Sequence, residues 1–320
     1  MNSLARAFDR TAPESRRLAV AGAVTIALAA TAWWVARKAA QAERDDPPKG
    51  QFIVVDGIRL HYLERGRGSP LVLLHGNTAR AEDFVASGLI ARLAENHRVV
   101  AFDRPGYGHS ERPRDRLWTA DAQARLISHA LARLGVASPV VVGHSWGTLV
   151  ALALGMRDDV DVRKLVLVSG YYFPHARLDV LLAAPPAIPI VGDVMRYTVS
   201  ALLARLSLRR VVKSMFRPQP VPDDFLSTLG REMLVRPSQI RAAAEDAALM
   251  LPAVATLRKR YGALDMPVTI LAGDRDNVVD QKVQSLRLHR AVSGSELSFV
   301  SGAGHMLHHD APEHIVAATA

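Results

Sequence analysis

The 320-residue chain contains no cysteine. That excludes a disulfide scaffold, thiolate-bound zinc, iron–sulfur ligation and a cysteine nucleophile. It leaves the redox compartment open, because a chain without thiols tolerates oxidising and reducing surroundings alike. Internal repeats and low-complexity tracts are also missing. A single long uncharged apolar run is too few for a polytopic transporter. No recognition motif for nucleic acid accompanies the basic surplus, so no nucleic acid partner is expected. With 49% hydrophobic and 22% charged residues, the composition excludes a disordered chain or a collagen-like fibre and suits a globular protein with a sizeable core. The length fits one large α/β domain with an insertion.

The formal charge is +9, from 40 Lys/Arg against 31 Asp/Glu. Between His175 and Gly262 there are 13 basic and 7 acidic residues, so six of the nine surplus charges sit in one segment. Arg205, Arg209, Arg210, Lys213 and Arg217 are interleaved there with leucine, valine and phenylalanine. Such a run reads either as a solvated helix face or as a surface attracted to anionic lipid head groups or acidic substrates.

Leu18 to Ala36 is nineteen residues without a charge. As a helix it would span about 28 Å at roughly 1.5 Å per residue, close to the ~30 Å hydrocarbon thickness. Trp33 and Trp34 lie near one end, and Arg16, Arg17, Arg37 and Lys38 fence both sides, as at membrane interfaces. A single-pass anchor is the leading reading. A cleaved secretory signal is the alternative, with Ala40-Gln41-Ala42 as a small-x-small site, although the apolar core is longer than a usual h-region. A buried soluble helix ranks last. The small excess of basic groups before the span favours an extracytoplasmic main domain. Glu43 to Gly50, with Pro47-Pro48, reads as a short linker.

From residue 51 the pattern settles. Phe52–Val55 and Arg59–Leu63 alternate around Asp56-Gly57, as in a pair of strands. Short apolar runs follow at Leu71–Leu74, Arg98–Phe102, Val140–Val142, Leu165–Val168 and Val268–Leu271. They read as strands buried on both faces of a largely parallel sheet. Helical spacing between them, as at Asp121–Leu134, argues an α/β fold. After Val168 the alternation stops until about Met266. The stretch between is rich in Leu, Ala and Arg and broken by prolines, which predicts several short helices inserted as a lid.

The strongest local signal is VVVGHSWG, in which Gly143, Ser145 and Gly147 form G-x-S-x-G. An apolar run precedes it and TLVALAL follows, so the serine would sit on a strained turn between strand and helix. A nucleophilic serine needs a base, an acid to orient the base, and donors for an oxyanion. Downstream, GDRDNVV (273–279) and GAGHMLHHDAPE (302–313) each follow a predicted strand. Asp276 and His305 would then occupy loops on the same sheet edge as Ser145. Upstream, LVLLHGN ends a strand at His75-Gly76, so the Asn77 N–H can pair with that of Trp146 as an oxyanion hole. Tyr171, Tyr172 and Phe173 follow another strand end and read equally as pocket lining or as plain packing.

HGN at 75–77, DRPGYGHS at 103–110, GHSWG at 143–147, GDRD at 273–276 and GAGH at 302–305 together resemble the α/β-hydrolase superfamily, from about Phe52 to the C-terminus. The resemblance implies an eight-stranded, mostly parallel sheet with helices on both faces and a helical lid. It implies a Ser145, Asp276, His305 triad, the family's G-x-x-D pattern selecting Asp276 over Asp274 and Asp280. It treats the Asp103, Gly106, Gly108, Ser110 turn as structural, His144 as packing, and His308, His309 and Asp310 as no metal site. Dehalogenases and epoxide hydrolases of the superfamily carry aspartate at the nucleophile position. Ser145 points instead to carboxylesterases, lactonases and serine carbon–carbon hydrolases, without metal or organic cofactor. The expected organisation is a tail (1–17), a transmembrane anchor (18–36), a linker (37–50), a hydrolase core (51–174 and 263–320) and a lid (175–262). The expected reaction is cleavage of a small hydrophobic ester or lactone, with a vinylogous diketone, or ligand binding without catalysis, as alternatives. Leu181, Leu182, Met195, Met215, Phe216, Phe225, Met233 and Met250 are the candidate apolar liners of the lid.

Overall fold

The computed structural model describes residues 2–175 and 183–320, with side chains from residue 16 onward. Eight strands form one sheet: β1 (Gln51–Val55), β2 (Ile58–Arg65), β3 (Ser69–Leu74), β4 (His97–Phe102), β5 (Val140–His144), β6 (Lys164–Val168), β7 (Val268–Gly273) and β8 (Glu296–Val300). Their order is β1-β2-β4-β3-β5-β6-β7-β8. β2 runs antiparallel to both neighbours, and every pairing from β4 to β8 is parallel. Strands β5 and β7 are buried throughout, which is why their sequences are mostly apolar on both faces. The edge strands β1 and β8 are mostly exposed.

Helices cover both faces. Ala120–Arg133 is started by Thr119, whose hydroxyl accepts from the Ala122 N–H. It packs with Gly147–Gly155 in the larger core cluster, whereas Leu89, Ile90, Leu93 and Ile315 join the cluster on the other face. Between β6 and β7 lies the helical insertion. Its principal helices are Val191–Tyr197, Val199–Phe216 and Pro237–Leu257. Two of these are longer than the expected short pieces, 18 and 21 residues. Pro252 lies inside the last without ending it, because Ala253, Val254 and Leu257 on the following turn are buried against the core. The Leu181 and Leu182 assignments lie outside the described residues.

The N-terminal helix runs from Asn2 to Asp45. Its apolar stretch is exposed, with Leu18 and Ile26 each more than 70% accessible. The expected linker differs: residues 37–45 continue the helix, and its end is docked on the domain. Val35 and Ala42 are buried, Glu43 pairs with Arg236 at 2.6 Å and Asp46 with the fully buried Arg80 at 2.7 Å. Trp34 lies under the Arg205 guanidinium, 5.1 Å from its ring centroid.

Candidate active site

Ser145 sits between β5 and the helix Gly147–Gly155, at φ 51°, a region that costs an L-residue on the order of 1–3 kcal/mol. The flanking glycines make that turn possible. A Cβ on Gly147 would stand 2.2 Å from the Leu74 carbonyl oxygen, and one on Gly143 2.7 Å from that of Gly147. The Ser145 N–H donates to the Val168 carbonyl, so the hydroxyl is held over the carboxyl end of the sheet.

Loops after β7 and β8 bring the other two groups to it. His305 Nε2 lies 3.0 Å from Ser145 Oγ, and His305 Nδ1 lies 2.8 Å from Asp276 Oδ2. The Asp276 carboxylate is fixed from the far side by the Val278 and Val279 N–H groups and by Gln281 Nε2, at 2.7–3.0 Å. Burial pushes its pKa up. The His305 charge and these hydrogen bonds outweigh that and hold it below the ordinary carboxylate range. An ionised Asp276 accepts from Nδ1–H, which leaves Nε2 free to take a proton from the serine. Asp274 instead accepts from the Gly302 N–H at 2.7 Å, and Asp280 caps the helix Gln281–Ala291.

Asn77 and Trp146 lie beside the serine. A Cβ on Gly76 would be 3.1 Å from Ser145 Cβ, so the loop carrying Asn77 passes close to that serine. Trp146 is the residue that opens the helix Gly147–Gly155, where backbone N–H groups lack intrahelical partners. Among the described residues neither backbone N–H takes a hydrogen-bond acceptor.

A buried network holds this loop. Arg104, fully inaccessible, donates from Nε to His75 O (2.8 Å) and from Nη2 to Gly76 O (2.9 Å), and pairs through Nη1 with Asp246 at 2.6 Å. Its guanidinium lies 4.6 Å from the ring centroids of Tyr107 and Trp146. Tyr107 Oη stands 2.7 Å from Asn77 Oδ1 and 2.8 Å from Asp246 Oδ2. Asn77 Nδ2 donates to Ala243 O, and Trp146 Nε1 to Asp246 O. Burial, with the Arg104 charge, lowers the His75 pKa to about 4; its neutral ring donates from Nδ1 to Gly76 O and accepts at Nε2 from the Arg104 N–H. Sequence reasoning missed Asp246, Arg104 and Tyr107. The available signal was the charged pair Glu245-Asp246 within the run AAAEDAALM, where one charge faces inward.

His144, His308 and His309 form a chain of ring contacts running away from His305. His144 Nε2 donates to His305 O at 3.1 Å, and burial, with the His308 and His305 charges, lowers its pKa well below the ordinary value. His308 and His309 both contact Asp83, at 3.0 and 2.8 Å, while Asp310 accepts from the Gly304 N–H. The trio Asp83, His308 and His309 brings three ligand-type atoms within 4.8 Å of one another. In this arrangement both imidazoles are engaged by the carboxylate.

A cavity of about 480 Å³ opens beside the site between the insertion and the core. Asn77 and Met306, the latter next in sequence to His305, line it, and Met195, Leu208, Met215 and Phe225 supply apolar wall. Tyr171, Tyr172 and Phe173 are not on that wall, contrary to the pocket-lining reading of them and in keeping with plain packing. All three are buried in the main core. The Tyr172 and Phe173 N–H groups donate to Gln284 Oε1, and Tyr171 bonds His175. Phe216 and Met233 are buried without lining the cavity, and Met250 packs in the main core.

Residues 69–312 match the family model described as the alpha/beta hydrolase fold. The chain belongs to that family. It is 26% identical over 278 residues to a 2-hydroxymuconate semialdehyde hydrolase of Pseudomonas putida, covering 82% of this chain and 90% of that one. A solved alpha/beta hydrolase fold protein from Burkholderia ambifaria superposes with a TM-score of 0.70 at 26% identity, over 84% of this chain and 96% of the other. A solved membrane phospholipase A, described as a bacterial virulence factor, superposes with a TM-score of 0.63 at 22% identity, over 96% of both chains.

Proposed function

We propose that the protein is a serine hydrolase that cleaves a hydrophobic ester or lactone through an acyl-enzyme, held at a membrane by its N-terminal helix with the catalytic domain on the extracytoplasmic side. The observation that carries the reading is the continuous relay from Ser145 Oγ through His305 to Asp276, at 3.0 and 2.8 Å. Ser145 Oγ attacks the substrate carbonyl while His305 Nε2 takes its proton. Charge that develops on the carbonyl oxygen is held by the Asn77 and Trp146 N–H groups. His305 then passes the proton to the leaving alkoxide, and the acyl group stays on Ser145. Water, deprotonated by the same imidazole, attacks the acyl-enzyme, and release of the acid restores the serine. Asp276 fixes the tautomer and stabilises the imidazolium throughout.

The helical insertion acts as the lid over this site, and its apolar cavity sets the preference for the acyl chain. Each further methylene buried is worth roughly 0.8 kcal/mol, so two more carbons raise kcat/KM about tenfold until the cavity is filled. Rates on p-nitrophenyl acetate, butyrate, hexanoate and octanoate test this, and a flat or falling series contradicts it. The second reading is hydrolysis of a carbon–carbon bond in a vinylogous diketone, favoured by the relative named a semialdehyde hydrolase. Turnover of such a diketone with no turnover of any ester would select it. Support for the membrane reading comes from the exposed apolar stretch of the N-terminal helix, of which only 6% is buried, and from a likeness to a membrane phospholipase that extends over 96% of this chain.

A further inference from the structure

Twenty-two large hydrophobic side chains are exposed on the described surface, and they are not scattered. Seven lie on the N-terminal helix between Leu18 and Trp34, and ten lie between Ile188 and Val211 of the insertion. Isolated exposed hydrophobics need no explanation, but a contiguous patch does.

The helix Val199–Phe216 has two contrasting faces. Ala204, Leu208, Val212 and Met215 line the cavity. On the opposite face, Val199, Leu202 and Leu206 are exposed, Leu206 at 82%, with Leu203 at the border between this face and the cavity. Helical spacing places Arg209, Arg210 and Lys213 on that same face one and two turns further along, and all three are exposed. The outer face is thus apolar in its first half and cationic in its second. The turn before it adds Ile188, Ile190, Val191 and Val194. Between Ile188 and Arg217 the sequence has one acidic residue, Asp193. That carboxylate is already paired with Arg114 and Arg196, so the field of the patch is positive.

The place of the patch follows from the N-terminal helix. Trp33 and Trp34 stand at the end of the uncharged run, where indoles favour the membrane interface, and Trp34 contacts Arg205 of this same insertion helix. The helix Asn2–Asp45 also packs on Val191–Tyr197. The patch therefore begins where the apolar span ends. Leu203 and Val211 both line the cavity and are exposed, so the cavity opens along this helix.

We propose that the outer face of the helix Val199–Phe216, with the turn from Ile188 to Val194, lies in the interface of an anionic bilayer and opens the cavity toward the acyl chains. The inference rests on reading the N-terminal helix as a membrane span. Leucines enter the acyl boundary, on the order of 5–10 Å deep, while Arg209, Arg210 and Lys213 meet lipid phosphates. The substrate class that follows is an amphiphilic acyl ester drawn from the bilayer.

The absence of cysteine makes a direct test available. Leu206→Cys in the full-length chain, labelled with an environment-sensitive fluorophore and reconstituted in phosphatidylcholine vesicles containing phosphatidylglycerol, should be quenched by lipids bearing shallow nitroxides and protected from aqueous iodide. Phe299→Cys, on the exposed edge strand β8, should show the reverse. Leu206 does not line the cavity, so Leu206→Glu should spare turnover of p-nitrophenyl butyrate in solution. It should lower hydrolysis of a vesicle-borne ester about tenfold, the equivalent of one lost leucine insertion. Iodide quenching at residue 206 in chains that resist carbonate extraction overturns the proposal while leaving the anchor intact. Shielding from both quenchers, with cross-linking between labelled copies, overturns it in favour of a contact between two chains. Release of the whole chain by carbonate refutes the anchor reading instead; the lid contact then stands only if vesicle binding before the wash requires phosphatidylglycerol and is lost in Leu206→Glu.

Discussion

At the scale of single residues the account depends on which groups share a proton. Ser145→Ala should abolish turnover, and adding His305→Ala should cost little more, because members of such a relay act as a unit and their losses do not add. Asp276→Asn should be severe, since the amide can present the wrong partner to Nδ1. Asp274→Asn should be mild, because its carboxylate serves the Gly302 N–H rather than His305. Steady-state kinetics of the four variants decide this, and a crippled Asp274→Asn beside an active Asp276→Asn would reverse the assignment. Single residues also set the acid limit. The folded chain keeps His75 neutral to about pH 4, against about 6.5 in an unfolded chain. Between those values the unfolded state binds more protons, so stability falls as pH falls through that window. A depressed Asp276 adds a loss of the same sign below the ordinary carboxylate range. His109 and His144 act in the same direction, and the buried Glu82, pushed up to about 7 by burial, acts in the opposite one. Thermal denaturation should therefore show a drop in Tm from pH 6.5 to 4 that is smaller in His75→Asn than in the parent chain, and an equal drop contradicts a neutral buried His75.

Between elements, the decisive contact is Asp246 on the insertion helix against Arg104 on the core. Asp246→Ala would leave Arg104 buried with an unpaired charge, while Arg112 keeps Glu245, a loss on the order of 3–5 kcal/mol. Because Arg104 holds the His75 and Gly76 carbonyls, the same variant should lower kcat more than it raises KM, with denaturant unfolding reporting the stability part separately. Elements differ in how far the sequence reveals them. β3, β5, β6 and β7 are readable because burial on both faces demands mostly apolar runs, and Ser145 is readable because only glycine tolerates the approach of Leu74 to residue 147. Pro252 reads as a break, yet packing of Val254 and Leu257 carries the helix through it. Tyr171–Phe173 read equally as pocket or core until Gln284, 111 and 112 residues away from Phe173 and Tyr172, fixes their backbone. Local pattern carries no information about partners so distant.

For the whole molecule, the same limit explains the helix end. The sequence AERDDPP suggests a linker because its charges look solvated, but Glu43 meets Arg236 and Asp46 meets Arg80, both far along the chain. The last turns of the N-terminal helix therefore belong to the domain. A chain beginning at Gly50 should have a lower Tm than one beginning at Val35, since it leaves the buried Arg80 and Arg236 without those carboxylates; equal Tm values would mean that the docking contributes nothing. The full-length chain should remain with membranes through carbonate washing, and the chain beginning at Val35 should not. The claim on which the rest depends is that Ser145 is an activated nucleophile. Treating the full-length protein with a fluorophosphonate and mapping the modified peptide tests it most directly. The account predicts one adduct on Ser145, lost in Ser145→Ala and strongly slowed in His305→Ala. No adduct, or an adduct on another residue with Ser145 unmodified, would contradict it.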